Sequence, residues 1–175
     1  MCQFLSAIVS KNGEVYCDPF IDSHEELIQR FGLRDDQSQF INNIVRVEFT
    51  PKDNDYFDVE NYSLRVDENS EPDWWAELRE SVYNNLKERI KRMVVDKADN
   101  KVLCGGVYFV RDSKILWTRY VKILTLRNSR VNVMRENSRV NEMWENSRVN
   151  EMRGNSQVKN QSDDNKKANG DKTKK

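Results

Sequence analysis

The sequence predicts an α+β head, a short β-solenoid and a disordered polar tail, and three observations lead there. Nine residues recur end to end near the C-terminus: residues 128–136 read NSRVNVMRE, 137–145 NSRVNEMWE and 146–154 NSRVNEMRG, before NSQV ends at Val158. Upstream of residue 111, one long amphipathic helical pattern stands among short alternating runs. Downstream of residue 158 the chain has no aromatic residue and is dominated by Lys, Asn and Asp, a composition with nothing to bury. The expected divisions are therefore a head over 1–110, a solenoid over 111–158 and a tail over 159–175.

The head begins with a hairpin. Apolar runs at 4–9 and 14–17 flank Lys11-Asn12-Gly13, and Asn-Gly between apolar runs is a strong short-range hairpin signal. A helix follows. Ser23 and Glu26 form a capping box, Leu27, Ile28 and Phe31 supply its apolar face, and Gly32 ends it where positive φ costs least. Val45-Arg46-Val47-Glu48-Phe49 alternates as a half-buried strand, ended by Pro51, and residues 62–66 make another. A longer helix is expected from Pro72-Asp73, with Asp73 as its cap and Trp74, Leu78, Val82, Leu86, Ile90 and Val94 stepping by four along one stripe. Residues 102–110 return to β-structure, and Gly105-Gly106 marks a bulge or close approach at the junction with the repeat.

The repeat is β-structure because of where its apolar residues fall. A nine-residue step on an α-helix rotates a side chain by about 900°, half a turn out of phase, so Val131, Val140 and Val149 would not share a face. Each unit instead opens with Asn-Ser, which favours turns, and then presents a β-branched valine. Valine and methionine columns (Val131, Val140, Val149 and Val158; Met134, Met143 and Met152) are expected to point into a narrow core. Because nine is odd and strand side chains alternate, each unit must absorb a residue at a corner. The pattern decays upstream: Asp112-Ser113-Lys114-Ile115 mimics Asn-Ser-Arg-Val, and residues 118–127 align with one insertion, placing Val121 and Leu124 in the two columns. Two units total eighteen residues, the length of a three-sided coil, so about two and a half coils are expected. Self-similarity at a fixed period means stacked units seeded from a folded end.

These units resemble the Asn-Ala/Ser/Thr-x-Val repeats of small bacterial and phage-associated β-solenoid proteins, and the stretches LSAIVSKNGEVYC, DSHEELI and VRVEFTP are similar to the head associated with them. The family's repeat often has glycine before the asparagine, which only Gly154 keeps here; Arg127, Glu136 and Glu145 stand at the other positions. The resemblance implies an architecture and a mobile-element setting, and it transfers no catalytic residue.

Charge divides the molecule. Residues 1–110 hold 13 Lys/Arg and 21 Asp/Glu, net −8, while residues 111–175 hold 16 and 8, net +8. An acidic head joined to a basic rod suggests a polyanion partner for one end, or attraction between the two ends. No stretch approaches the roughly 20 apolar residues of a membrane span. No membrane association is expected, and the location expected is cytoplasmic, in a bacterium or a phage-infected cell. Cys2, Cys17 and Cys104 are odd in number and widely spaced, which suits reduced thiols rather than a disulfide framework or zinc site.

Candidate chemistry is sparse. His24, the sole histidine, could act as a base or ligand beside Asp22 and Glu25, although a first-turn residue usually faces solvent; Ser23 is already needed as the helix cap. Cys2 would become an N-terminal nucleophile if Met1 were removed, a start that resembles the glutamine amidotransferases with such a nucleophile, but those continue with glycine where this chain has Gln3. Asp53, Asp55 and Asp58 lack the glycine and glutamate of a calcium loop, and Cys104-Gly105-Gly106 lacks the lysine and length of a phosphate loop. No cofactor or metal is expected. The remaining candidate is the rod surface. With units in register, Arg130, Arg139 and Arg148 form one column, and Arg135, Trp144 and Arg153 another in which an aromatic ring lies between guanidiniums, the pairing used for phosphate tracking and base stacking. Glu142 and Glu151 could instead neutralise these columns. The expectation is a non-enzymatic binding protein, its partner a protein first and a nucleic acid second; the alternative is a small enzyme with its site around His24.

Overall fold

The computed structural model describes residues 4–34, 43–68 and 70–161, and the chain divides into two compact units between Lys91 and Arg92. Cys2 and the greater part of the expected tail, residues 162–175, lie outside the described residues. The result is an α+β head and a β-solenoid of about four turns.

The head carries one antiparallel sheet in the order β2-β1-β3-β4, formed by β1 (Ser6–Ser10), β2 (Val15–Tyr16), β3 (Ile44–Pro51) and β4 (Tyr62–Val66). The β1–β2 hairpin turns at Gly13, whose φ of +82° is left-handed. Helix α1 (His24–Phe31) starts at the Ser23 cap, which accepts the Glu26 N–H, and ends at Gly32 with φ 62°. Its Leu27 packs with Ile8 and Ile44. The alternate residues of β3 serve the opposite face, where the Phe49 ring meets Tyr83 edge-on at 5.3 Å. Tyr83 belongs to helix α2 (Trp75–Met93), so the two helices cover opposite faces of the sheet.

Helix α2 departs from its expected stripe at both ends. Its buried residues are Trp75, Val82, Leu86 and Ile90, and Trp74 is only partly buried. A stripe advancing by four drifts about 40° per step, and the three-residue step from Trp75 to Leu78 brings it back. Val94 does not continue the helix; it opens a strand. Among the described residues, no helix is long and apolar enough to cross a membrane.

The solenoid starts earlier than residue 111. Strands β5 (Val94–Asp96), β6 (Lys101–Cys104), β7 (Val107–Arg111), β8 (Lys114–Arg119), β9 (Lys122–Arg127), β10 (Arg130–Arg135), β11 (Arg139–Trp144), β12 (Arg148–Met152) and β13 (Gln157–Gln161) alternate between two parallel sheets, ordered β6-β8-β10-β12 and β5-β7-β9-β11-β13. The coil is therefore two-sided rather than three-sided, with one nonapeptide forming half a turn. Residues 159–161, expected in the tail, belong to β13.

Coil length grows along the chain, and the corners explain it. Lys114 pairs with Arg130, Lys122 with Arg139 and Arg130 with Arg148, giving coils of 16, 17 and 18 residues. Strands β8 to β11 each span 6 residues. Of the corners that follow β8, Tyr120-Val121 and Asn128-Ser129 hold two residues, and those at 136–138 and 145–147 hold three. Each of these four corners opens on a left-handed residue: Tyr120, Asn128, Glu136 and Glu145 have φ of 54°, 43°, 59° and 56°. This corrects the upstream alignment. Ile123 and Leu126, not Val121 and Leu124, face Val140 and Met143 in the ladder, and Val121 holds the place of Ser138. It also corrects the parity argument, because inward residues Ile115, Ile123 and Val131 recur after eight residues as readily as valines do after nine. The corner re-aims the chain, and the count within it is free.

The core is a single apolar stack including Leu103, Val110, Ile115, Ile123, Leu126, Val131, Met134, Val140 and Met143. Valine and methionine lie three residues apart in each strand, a spacing that a flat strand would send to opposite faces. The ladder registers step over Asn132 and Asn141, and the chain rotates there so that both side chains point inward. In the last unit Val149 is only partly buried and Met152 is 54% exposed, whereas Met134 is fully buried; among the described residues, β12 has a ladder neighbour on one side only.

Serine, expected only to favour turns, forms an internal ladder at one corner. The Ser113 N–H donates to Ser129 Oγ at 2.9 Å and the Ser129 N–H to Ser147 Oγ at 3.2 Å, while the Ala98 N–H donates to Ser113 Oγ at 2.9 Å. All three serines are buried. Each hydroxyl thus satisfies a backbone donor of the coil before it, which a corner stripped of strand pairing needs.

Candidate binding face of the solenoid

The two expected Arg columns are redistributed, because consecutive repeats lie on opposite sheets. Arg130 and Arg148 share a column with Lys114 on the four-stranded sheet, whereas Arg139 pairs with Lys122 on the five-stranded sheet. Likewise Arg135 pairs with Arg119, and Trp144 pairs with Arg127. Trp144 is therefore not between Arg135 and Arg153. Its indole N–H donates to Glu142 at 3.1 Å. Guanidiniums do lie on aromatic rings elsewhere, Arg135 over Trp117 and Arg119 over Tyr120, each at 5.4 Å.

Neutralisation follows strand position. At strand ends, Arg119 pairs with Glu136 at 3.3 Å and Arg127 with Glu145 at 2.6 Å. Each glutamate sits at the corner one coil on. Glu151 binds Arg153 at 2.5 Å, and that bond holds the Glu151 carboxyl below the usual carboxylate range. Glu142 and Glu151, expected to serve Arg139 and Arg148, are thus engaged elsewhere. Among the described residues, Arg130, Arg139 and Arg148 have no carboxylate at ion-pair distance. Lys114, at the head of the Arg130 column, pairs with Asp99 at 3.3 Å, both side chains largely exposed.

The four-stranded face consequently presents two basic edges. Lys114, Arg130 and Arg148 mark the strand starts and Arg119 and Arg135 the ends of β8 and β10, with Arg153 just beyond β12 and Trp117, Val133 and Glu151 in one row between them. Successive rungs lie about 4.8 Å apart, so Arg130 and Arg148 repel each other without a local counter-charge. Lys114 and Trp117 were not anticipated as binding residues, although the resemblance of residues 112–115 to Asn-Ser-Arg-Val contained the signal for Lys114.

His24 is set differently from expectation. It is 3% exposed, its Nε2 lies 3.1 Å from the Val47 carbonyl, which only an N–H can satisfy, and its Nδ1 lies 3.5 Å from Asp67 rather than beside Asp22 or Glu25. Around it run further pairs, Arg65 with the buried Glu48 at 2.6 Å and Arg46 with Glu68 at 3.2 Å. Both ring nitrogens therefore face acceptors within the fold, which suits a residue tying α1 to β3. Burial raises the Cys17 thiol above its ordinary value despite Arg89 at 3.2 Å, so a thiolate is disfavoured. Asp55 and Asp58 accept bonds from Phe57 N–H and Asn61 Nδ2 in their own loop. No protein-family model, curated protein or solved structure matches this chain.

Proposed function

We propose that this is a non-enzymatic binding protein that holds an acidic macromolecular partner on the four-stranded face of its solenoid. The carrying observation is the Lys114–Arg130–Arg148 column, in which two successive arginines stand without a carboxylate. A ladder of like charge is destabilising on its own, and an anionic partner relieves it. The same spacing steers an approaching anion, because summed fields over a basic face raise encounter rates.

The partner we infer is an acidic segment of another protein, within a bacterial or phage-infected cytoplasm. Nucleic acid is the second reading, but stacking and phosphate contacts do not converge on one face. Trp117 is half-buried under Arg135, and the exposed Trp144 lies on the other sheet, bonded to Glu142.

The test is fluorescence anisotropy of a labelled polyglutamate peptide and of a single-stranded oligonucleotide against the full chain, over a salt series. Peptide binding that weakens with salt, and weakens further in an Arg130→Gln/Arg148→Gln variant, supports the proposal. Oligonucleotide binding alone, with the salt slope flattened by nearly two phosphate equivalents of about 0.7 each, would transfer the assignment to nucleic acid. Wild-type binding to neither polymer, or binding indifferent to the double variant, overturns the reading.

A further inference from the structure

One arginine loses its counter-charge by sequence. At two strand ends, an arginine is answered by the corner residue of the next coil: Arg119 by Glu136 and Arg127 by Glu145. Continuing the Met134–Met152 register sets Arg153 beside Arg135 and makes the answering corner residue Gly154. Glycine has no carboxylate to offer. Its φ of 62° is no different from that of Glu136 at 59° and Glu145 at 56°; what sets the position apart is that a Cβ there would press on the Glu136 backbone. Arg135 turns instead to the Trp117 ring.

Beside Gly154 lies an open cleft of about 470 Å³ lined by Arg135, Glu136, Asn137, Arg153, Gly154 and Asn155. Glu136 is held by Arg119 and Glu151 by Arg153, so three guanidiniums face two carboxylates and one positive charge stays unbalanced. The donors come from two successive rungs and from the carboxamides of two corners. A planar carboxylate can fork one guanidinium, whereas a tetrahedral oxyanion with three free oxygens can bridge two.

We propose that this cleft is a binding site for a phosphomonoester, seated between Arg135 and Arg153 with Asn137 and Asn155 as further donors. Resting on the binding reading above, it names one group that the partner presents, a terminal phosphate, while standing at the opposite strand ends from Arg130 and Arg148.

The experiment is an NMR titration of the arginine Nε–Hε and asparagine side-chain signals of the full chain with inorganic phosphate, and with acetate at equal ionic strength. A saturable shift at Arg135 with a midpoint on the order of 1 mM, absent with acetate and small at Arg130, is the expected result. O-phosphoserine and a 5′-mononucleotide form two further arms; a response to either supports the site and says which source it takes. Arg135→Gln should abolish the phosphate shifts of Asn137 and Asn155. Gly154→Glu, which restores the corner carboxylate, should weaken binding at least tenfold. A Cβ there would meet the Glu136 backbone at 3.2 Å, so Arg135→Gln, which alters only an exposed side chain, decides if that variant misfolds. Equal responses to acetate and phosphate, shifts spread evenly over Arg130 and Arg139, or shifts that survive Arg135→Gln would overturn the site. Its failure would leave the Arg130/Arg148 effect on the peptide untouched, so the two proposals fail separately.

Discussion

Replacing Ser129 by alanine tests whether the solenoid is held by its internal serine ladder. Ser129 Oγ accepts the N–H of Ser113 at 2.9 Å and donates to the Arg127 carbonyl at 2.7 Å, and both serines are buried. The variant leaves the Ser113 N–H without an acceptor, a cost of about 1–3 kcal/mol. The Arg127 carbonyl keeps the Asp112 N–H at 3.1 Å, so the second loss adds at most about 1 kcal/mol. The sum expected is about 1–4 kcal/mol, with a midpoint that is a large share of a domain's typical stability. Ser156 occupies the same repeat position, but its hydroxyl only donates, to the Glu136 and Arg153 carbonyls, so Ser156→Ala should cost under about 1 kcal/mol. Amide hydrogen exchange is the assay, since it reads the Ser113 N–H directly: protection there should fall by more than tenfold in Ser129→Ala and stay near wild type in Ser156→Ala. Equal effects from the two substitutions would refute the ladder and leave serine as a turn former only.

Val140→Asp places a carboxylate where a fully buried valine stood; the lost transfer energy of about 1.5–3 kcal/mol and the buried charge together should open the coil, seen as new protease cleavage within residues 112–161, and an unchanged digest would sink the packing account. Deleting residues 137–145 removes one strand and one three-residue corner, moving each later strand to the opposite sheet without breaking a column; β-structure by circular dichroism and protease resistance should persist, whereas deleting only 137–141 should destroy both. Asp96 is held below its ordinary value of 3.8, first by the hydrogen bond from Arg111. A depressed carboxylate stabilises the fold above the ordinary value and loses that contribution as pH falls through the depressed one. Asp96→Asn should therefore cost about 1 kcal/mol at neutral pH and nothing once the pH is well below 3.8, so parallel wild-type and variant melting curves at all pH values would contradict the pairing.

Much of the head was legible because its signals are local. The Asn12-Gly13 turn, the Ser23 cap, the Gly32 stop and the alternation of β3 each depend on a few neighbouring residues, and each stands where those residues place it. His24 was not legible in the same way. Its partners, Val47 and Asp67, lie 23 and 43 residues away, and nothing in the first turn of α1 announces that a residue there will be covered.

The nonapeptide by itself determined that the C-terminal half is a stacked β-coil with valine and methionine inside, because a nine-residue period is incompatible with a helical stripe and needs no distant partner to be read. What only the tertiary structure decided is which repeats are neighbours. A period of nine says that units are alike, but not how many make a turn. Two per turn send Arg130 and Arg139 to opposite sheets, part Trp144 from Arg135, and set Gly154 where a glutamate would have answered Arg135. Side-chain columns form between residues one whole coil apart, and coil length is set by corner residues whose left-handed backbone closes the turn with two or three residues alike.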